Sequence, residues 1–293
     1  MAENTKIEWA THTVNFWWGC EKVSAGCKNC YAETLSHRFG KSIWGPAATT
    51  DRERKSGAIA NMRKWNRQAA KSGEVVRVFA QSMSDFFEDH PQLPAWRNEA
   101  IDVIEECEDL IVMLLTKRPE NTMRMVPNHW VHDWPEHVWI GTSVENQETA
   151  DQRIPELLQI PAHIRFLSME PLLGPVDLSR YLGLSWSGYY NCWQIDERGS
   201  LFGKWWPDWV IVGGESGSGA RAMHPDWARS IRDQCVAAGV AFHFKQWGNW
   251  SPMLHADSTG KMHFWPNGGA SQDVGKHAAG RMLDGRTWDE FPE

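Results

Sequence analysis

The sequence contains no run of about 18 apolar residues, so nothing in it reads as a membrane span. Its first residues, Met-Ala-Glu-Asn-Thr-Lys, lack an apolar signal region, which sets the expectation of a cytoplasmic protein. An excess of positive charge is missing too. Thirty Lys and Arg stand against 37 Asp and Glu, a net charge of -7. That excludes a surface that traps nucleic acid all over, although not a local basic groove. Cysteine is scarce: six in 293 residues is too few for a disulfide scaffold. No glycine-rich dinucleotide fingerprint follows an apolar run, and there are no solenoid repeats or low-complexity tracts. What remains is an ordinary globular composition, 42% hydrophobic and 23% charged. The length suits one large α/β domain or two small ones.

Three of the cysteines stand together. Cys20, Cys27 and Cys30 form C-x6-C-x2-C, with Tyr31 directly after. In a reducing compartment such a cluster reads as a metal-ligand set. Three thiolates are one short of a closed zinc site or a fully protein-ligated cubane. On a cubane they leave one iron open to a cofactor or substrate. Cys107, Cys192 and Cys235 are isolated and read as packing. An alternative from another class is a zinc-stabilised nucleic-acid-binding protein, with His37 or His12 as fourth ligand. Nineteen tryptophans are a large excess, suited to packing and also to stacking a flat base.

Short β-branched and aromatic runs alternate with amphipathic segments. The runs are 14–18, 75–80, 110–115, 138–141, 164–167, 209–212 and 240–244. The periodicity predicts helices near 27–38, 53–70, 92–107, 146–158 and 225–238. Seven β/α units predict an α/β fold, a partial (β/α) barrel of about six to seven parallel strands spanning 1–247. An open doubly wound sheet is the rival. Residues 183–207 read as a polar, aromatic insertion, and 248–293 as an irregular C-terminal lid or extension.

In such a barrel, chemistry sits at the C-terminal ends of the strands. After the first run come the cysteines, after the second Ser82, Ser84 and Asp85, after the third Lys117 and Arg118. The fourth is followed by Thr142, Ser143, Glu145 and Asn146, the fifth by Glu170, the sixth by Gly213-Gly214-Glu215, and the seventh by Lys245-Gln246. Asp85, Lys117, Glu145, Glu170, Glu215 and Lys245 are expected to converge on one cavity, with Asp85 and Asn146 equally readable as helix caps. The two glycines would let backbone approach a ligand, and a simple turn explains them as well. Arg52, Arg54, Lys55, Arg63, Lys64 and Arg67 form the densest basic segment, either phosphate-tracking or a solvated helix face.

Cysteines after the first strand of a β/α barrel resemble the radical S-adenosylmethionine (SAM) superfamily, whose usual spacing, C-x3-C-x2-C, is shorter in its first gap. The segments 19–33, Leu-Thr-Lys-Arg-Pro (115–119), Ser-Met-Glu-Pro-Leu-Leu-Gly (168–174), Val-Gly-Gly-Glu-Ser-Gly (212–217) and Phe-Lys-Gln-Trp-Gly (244–248) look like a phage-protein family with a radical-SAM-like three-cysteine motif. Some of its members resemble the radical SAM isomerase of phage thymidine hypermodification, which rearranges a glycine borne on thymine. The resemblance implies a [4Fe–4S] cluster on Cys20, Cys27 and Cys30, SAM on its open iron, and an external electron donor such as flavodoxin or ferredoxin. It implies a modified thymidine, in DNA or as a nucleotide, and a host-cytoplasmic location if the gene is a phage's. Ser82, Ser84 and Asp85 would then meet the SAM amino group. Thr142, Ser143, Glu145 and Asn146 would meet the ribose, and Lys117 or Arg118 a carboxylate. Glu170, Glu215, Lys245 and Gln246 remain for the substrate, with Lys245 and Glu215 as the cation and the acceptor for a glycyl group. DNA repair and nucleoside tailoring are further readings that keep the radical.

Overall fold

The computed structural model describes residues 3–183, 206–252 and 260–293. The expected insertion at 183–207 therefore lies almost wholly outside the described residues. The chain forms two compact units, residues 1–142 with 159–165 and residues 143–158 with 166–293. Compactness thus does not divide at 247/248: the tail belongs to the second unit.

In the first unit, β1 (His12–Val14) is followed by β2 (Trp17–Trp18), which pairs antiparallel with β3 (Glu53–Arg54). Then come β4 (Val76–Ala80), β5 (Leu110–Thr116) and β6 (Val138–Ser143). β7 (Arg165–Met169), β8 (Trp209–Gly213) and β9 (Ala241–Gln246) complete one sheet, in the order β1-β4-β5-β6-β7-β8-β9. This is the seven-stranded parallel half-barrel of an α/β fold, as expected. The strands are near-continuous buried apolar runs, the pattern of strands covered on both faces. Val78, Val112, Leu114 and Ile140 are fully buried in the first unit, and Val210, Ile211, Val212 and Phe242 in the second. Each contributes about 1.5–3 kcal/mol by leaving water.

The first apolar run is not one strand. His12–Val14 pairs with β4, Val14 against Ala80. Asn15 then turns its side chain to the next loop, and Trp17–Trp18 leave for the β2–β3 ribbon. The cysteines therefore follow a ribbon rather than a sheet strand.

The helices α2 (Gly57–Ser72) and α3 (Leu93–Glu106) fall where periodicity puts them, and α1 (Tyr31–Arg38) starts later than expected. α2 buries Ala58, Met62, Trp65 and Ala69, one stripe at helical spacing, and stops at left-handed Gly73. α4 (Thr122–Met125) and α5 (Asn128–His132) are single turns. In the second unit, α6 (Gln147–Leu158) precedes α7 (Pro225–Ala238), whose His224 cap accepts the Asp226 N–H and whose end is left-handed Gly239. Among the described residues no helix is long and apolar enough to cross a membrane.

The tail is not irregular. β10 (Trp250–Pro252), β11 (Met262–Phe264) and β12 (Ala270–Asp273) form an antiparallel sheet in the order β10-β12-β11, followed by α8 (Lys276–Ala279). The last residues run antiparallel to β9. Phe244 N–H donates to Trp288 O at 2.9 Å, Glu290 N–H to Phe242 O at 3.3 Å, and His243 bridges Asp289.

Candidate active site: the cysteine loop and the strand ends

Gly19 places Cys20. It holds φ +108°, and a Cβ there would stand 2.4 Å from Ile43 O and 2.7 Å from the Arg52 Cδ. On either side of Cys20 the backbone is pinned, Gly19 N–H to Met83 O and Gly45 N–H to Cys20 O. Ala25–Cys27 make one 3-10 turn, with Ser24 Oγ 3.7 Å from Cys27 Sγ. Cys30 occupies the N-cap of α1, so that helix begins after the third cysteine rather than at 27. All three thiols are free and half-buried.

The loop after β4 is stitched onto this one. Asn15 Oδ1 accepts the N–H groups of Ser82 and Met83, and Gln81 Oε1 those of Phe16 and Trp17. The hydroxyls of Ser82 and Ser84, expected at the SAM amino group, bond to Asn15 and to Trp17 O. Tyr31 OH donates to Ser82 O at 2.8 Å.

Asp85 is similarly committed. It is buried, and Oδ1 accepts from Thr116 Oγ1 at 2.6 Å and from Phe87 N–H, a turn bond of the capping kind. Its Oδ2 accepts the Lys117 N–H at 2.8 Å and Arg118 Nη1 at 3.0 Å. Arg118 is therefore aimed rather than free: Nη1 also stands 3.8 Å from Cys20 Sγ, and Nη2 donates to Glu21 O at 2.9 Å. Behind it lies Glu88, 3.8 Å from Arg118 and gripped bidentately by Arg52 at 2.8 and 3.0 Å. Both side chains of that last pair are out of solvent, at 0% and 2% exposure.

The electrostatics follow. Burial pushes the Cys20 thiol far up, Glu88 and Asp85 push the same way, and Arg118 opposes them. Burial alone would lower the Arg118 guanidinium, but Asp85, Cys20 and Glu88 outweigh it and raise it. Cys30 is raised by burial and by the nearby Cys27. Lys117 and the first-turn N–H groups of Ala32 and Glu33 oppose that, without a formal capping bond.

Among the described residues no three His, Cys, Asp or Glu side chains stand close enough to hold one metal ion. A cubane asks for a different spacing, because each thiolate binds its own iron and the sulfurs stand farther apart. The donor set fits that group: three unbridged thiols on one loop, with cations acting on two of them. His12, offered as a zinc ligand, is spent elsewhere. It stacks on Trp65 at 4.4 Å, and its Nδ1 accepts the Asn4 N–H.

In the second unit, Glu145 is fully buried and paired with Arg153 at 3.2 Å. Asn146 Oδ1 accepts the Thr149 N–H, so Asn146 caps α6. Arg153 also donates to Ser143 O. In the first unit, the Thr142 hydroxyl donates to Thr116 O. Glu215 binds Arg221, with Nη2 2.6 Å from Oε1 and Nε 2.8 Å from Oε2. Lys245 lies 2.9 Å from Glu170, so the two groups expected to meet a glycyl substrate, Lys245 and Glu215, are each paired with a side chain of the protein. The glycines are filled by protein: a Cβ on Gly213 would meet Glu170 Oε1 at 2.5 Å, and one on Gly214 would meet Trp247 O at 2.0 Å. Gln246 Nε2 donates to Ser216 Oγ at 3.2 Å, and its buried Oε1 has no partner among the described residues.

The six acidic and basic residues expected in one cavity thus lie in both units, each at the end of its own strand. Glu88, Arg153 and Arg221 carry no motif of their own in the sequence, and Arg52 reads there only as one member of the basic segment. One signal pointed to Glu88: it follows Phe86 and Phe87, both buried, and a carboxylate carried into such a run needs a cation. The basic segment is paired rather than open. Arg54 meets Glu99, Lys55 meets Glu53, Arg63 meets Glu106 and Lys64 meets Glu3.

No curated protein matches the chain. Among solved structures it is similar to variants of spore photoproduct lyase. One with a substituted tyrosine has a TM-score of 0.42 at 13% identity, covering 88% of this chain and 67% of that one. One with a cysteine replaced by alanine, holding a dinucleoside spore photoproduct, has 0.42 at 12%, covering 88% and 66%. Likeness at this level says nothing of this chain's reaction. Residues 4–292 match the family described as protein of unknown function (DUF5131), and the chain belongs to that family.

Proposed function

We propose that the protein is a radical SAM enzyme in which Cys20, Cys27 and Cys30 hold a [4Fe–4S] cluster. One observation carries this reading: three unbridged thiols share one loop, and that of Cys20 faces a guanidinium fixed by Asp85. The chemistry that cluster and SAM supply when bound is one-electron release of a 5′-deoxyadenosyl radical, which takes a hydrogen atom from substrate. The chain must bind, orient and exclude water. Trp17 and Phe86, both buried and 5.5 Å apart, are assigned the exclusion of water beside the loop. We assign Lys117 to the SAM carboxylate and half-buried Asn146 to the ribose. Ser82, Ser84 and Asp85 act indirectly, by fixing the loops.

For the substrate we propose an amino-acid-modified thymidine, isomerised at its glycyl group. Lys245 offers a cation for a carboxylate, and Glu170 an acceptor for an amine. The test is anaerobic purification with iron and sulfide analysis, then chromatography for 5′-deoxyadenosine. A colourless protein with one zinc and no sulfide after reconstitution overturns the reading. Cys27→Ala should abolish both cluster and SAM cleavage; retained cleavage would show the ligand set to be wrong. Mass spectrometry and NMR of nucleosides from glycinyl-modified DNA should show an isobaric product with a new carbon–carbon bond. Free modified nucleoside, run in parallel, separates a DNA substrate from a nucleotide.

A further inference from the structure

The Arg118 guanidinium has more constraints than an ion pair with Asp85 requires. One nitrogen serves Asp85 Oδ2 at 3.0 Å and faces Cys20 Sγ at 3.8 Å. The other serves Glu21 O at 2.9 Å and lies 3.8 Å from Glu88 Oε1. Each of these contacts is itself held. Asp85 is fixed by Thr116 and two backbone N–H groups, and Glu88 by both Arg52 nitrogens and the Glu21 N–H. The residue after Cys20 is thus bound through both its backbone groups, its carbonyl to Arg118 and its N–H to Glu88. The result is a buried row of alternating charge, Arg52, Glu88, Arg118 and Asp85, that ends on one sulfur of the loop.

We propose that Arg118 is a positioning residue that sets the reduction potential of the group held by Cys20, with Glu88 as its counterweight. This rests on the [4Fe–4S] reading above. The physical basis is general. An N–H aimed at a ligating sulfur, and a fixed positive charge beside it, favour the reduced state, which carries one more negative charge. A buried carboxylate nearby does the opposite. The row is largely out of solvent, with side-chain exposures of 0% and 2% for Arg52 and Glu88 and 10% and 7% for Arg118 and Asp85, so these charges are screened less than surface charges. Asp85 and Glu88 keep Arg118 from swinging to solvent, which preserves the effect as substrates come and go.

Two kinds of variant should move the potential in opposite directions. Arg118→Gln removes the charge, and Arg118→Lys keeps it but loses the planar fork. Glu88→Gln removes the counterweight while keeping a polar side chain of the same size. The reconstituted full-length proteins are titrated anaerobically with dithionite and redox dyes, and the reduced cluster is followed by EPR, without SAM or substrate. The equilibrium constant for one-electron reduction should fall about tenfold in Arg118→Gln, a 59 mV shift, and less in Arg118→Lys. It should rise in Glu88→Gln. Equal potentials in wild type and all variants that hold four irons overturn the proposal, as does a shift of the same sign in both kinds. If Arg118→Gln does not fold, Arg118→Lys and Glu88→Gln still give the two signs. A wild-type protein without iron and sulfide overturns the cluster reading itself, and this inference falls with it. The two failures are therefore distinct in the data.

Discussion

At the scale of single residues, the buried charges are the most sensitive positions. Arg52 donates to three backbone carbonyls as well as to Glu88, wholly out of water. Arg52→Ala leaves buried Glu88 without its bidentate partner, with only the longer contact to Arg118 and the Glu21 N–H, and should cost about 3–5 kcal/mol in urea unfolding. An unchanged midpoint would show that Glu88 finds another partner. Gly214 is equally constrained, because the atom that a Cβ would meet is backbone rather than a side chain that could turn away. Gly214→Ala should lower stability by about 3 kcal/mol, checked by thermal unfolding. These residues also show what the sequence could tell. Cys20, Cys27 and Cys30 were legible because their spacing is itself the signal. Gly214 fits a ligand's approach or a simple turn equally well in the sequence, since a glycine shows that something comes close, not what comes close. Arg221 lies six residues beyond Glu215 in an unpatterned stretch, and nothing in the order of residues marks it as the partner.

At the scale of elements, α6 offers a direct choice between two readings of one side chain. Asn146 caps it through the Thr149 N–H at 3.0 Å. Asn146→Ala should cost about 1 kcal/mol of stability. If the SAM dissociation constant, measured by calorimetry on the reconstituted protein, rises at least tenfold as well, Asn146 also serves the ribose. Stability loss with unchanged affinity would leave it a cap alone. Helix and strand positions were well marked in the sequence because buried parallel strands and amphipathic helices impose different periods. The first run misled for a definite reason. Residues 14–18 have the apolar character of one strand, but Asn15 gives its side chain to two N–H groups of the next loop, and the chain bends there. The tail misled in the opposite way. Its strands are three to four residues long, too short for a period to show, and are specified by pairing across β12.

At the scale of the whole molecule, acid sensitivity follows from one buried imidazole. Burial pushes His243 down to about 4, and neither ring nitrogen has a hydrogen bond among the described residues. Its ordinary value in an unfolded chain is near 6.5, so the unfolded state takes up a proton first as pH falls. Stability should be intact above about pH 6.5 and decline towards pH 4, by on the order of 3 kcal/mol. Urea midpoints measured between pH 7 and pH 4 check this, and His243→Phe should flatten the slope.

The final residues bear on a different property. β9 ends the seven-stranded order, and its outer row of N–H and C=O groups meets the chain's own last stretch through Trp288, Asp289 and Glu290. An uncovered edge of this kind, with Phe242, Phe244 and Trp209 behind it, is a template for another copy's strand. The closing segment therefore acts as a guard against self-association. Removing residues 286–293 should turn a well-behaved preparation into one that scatters light and forms multimers before it loses its helical signal.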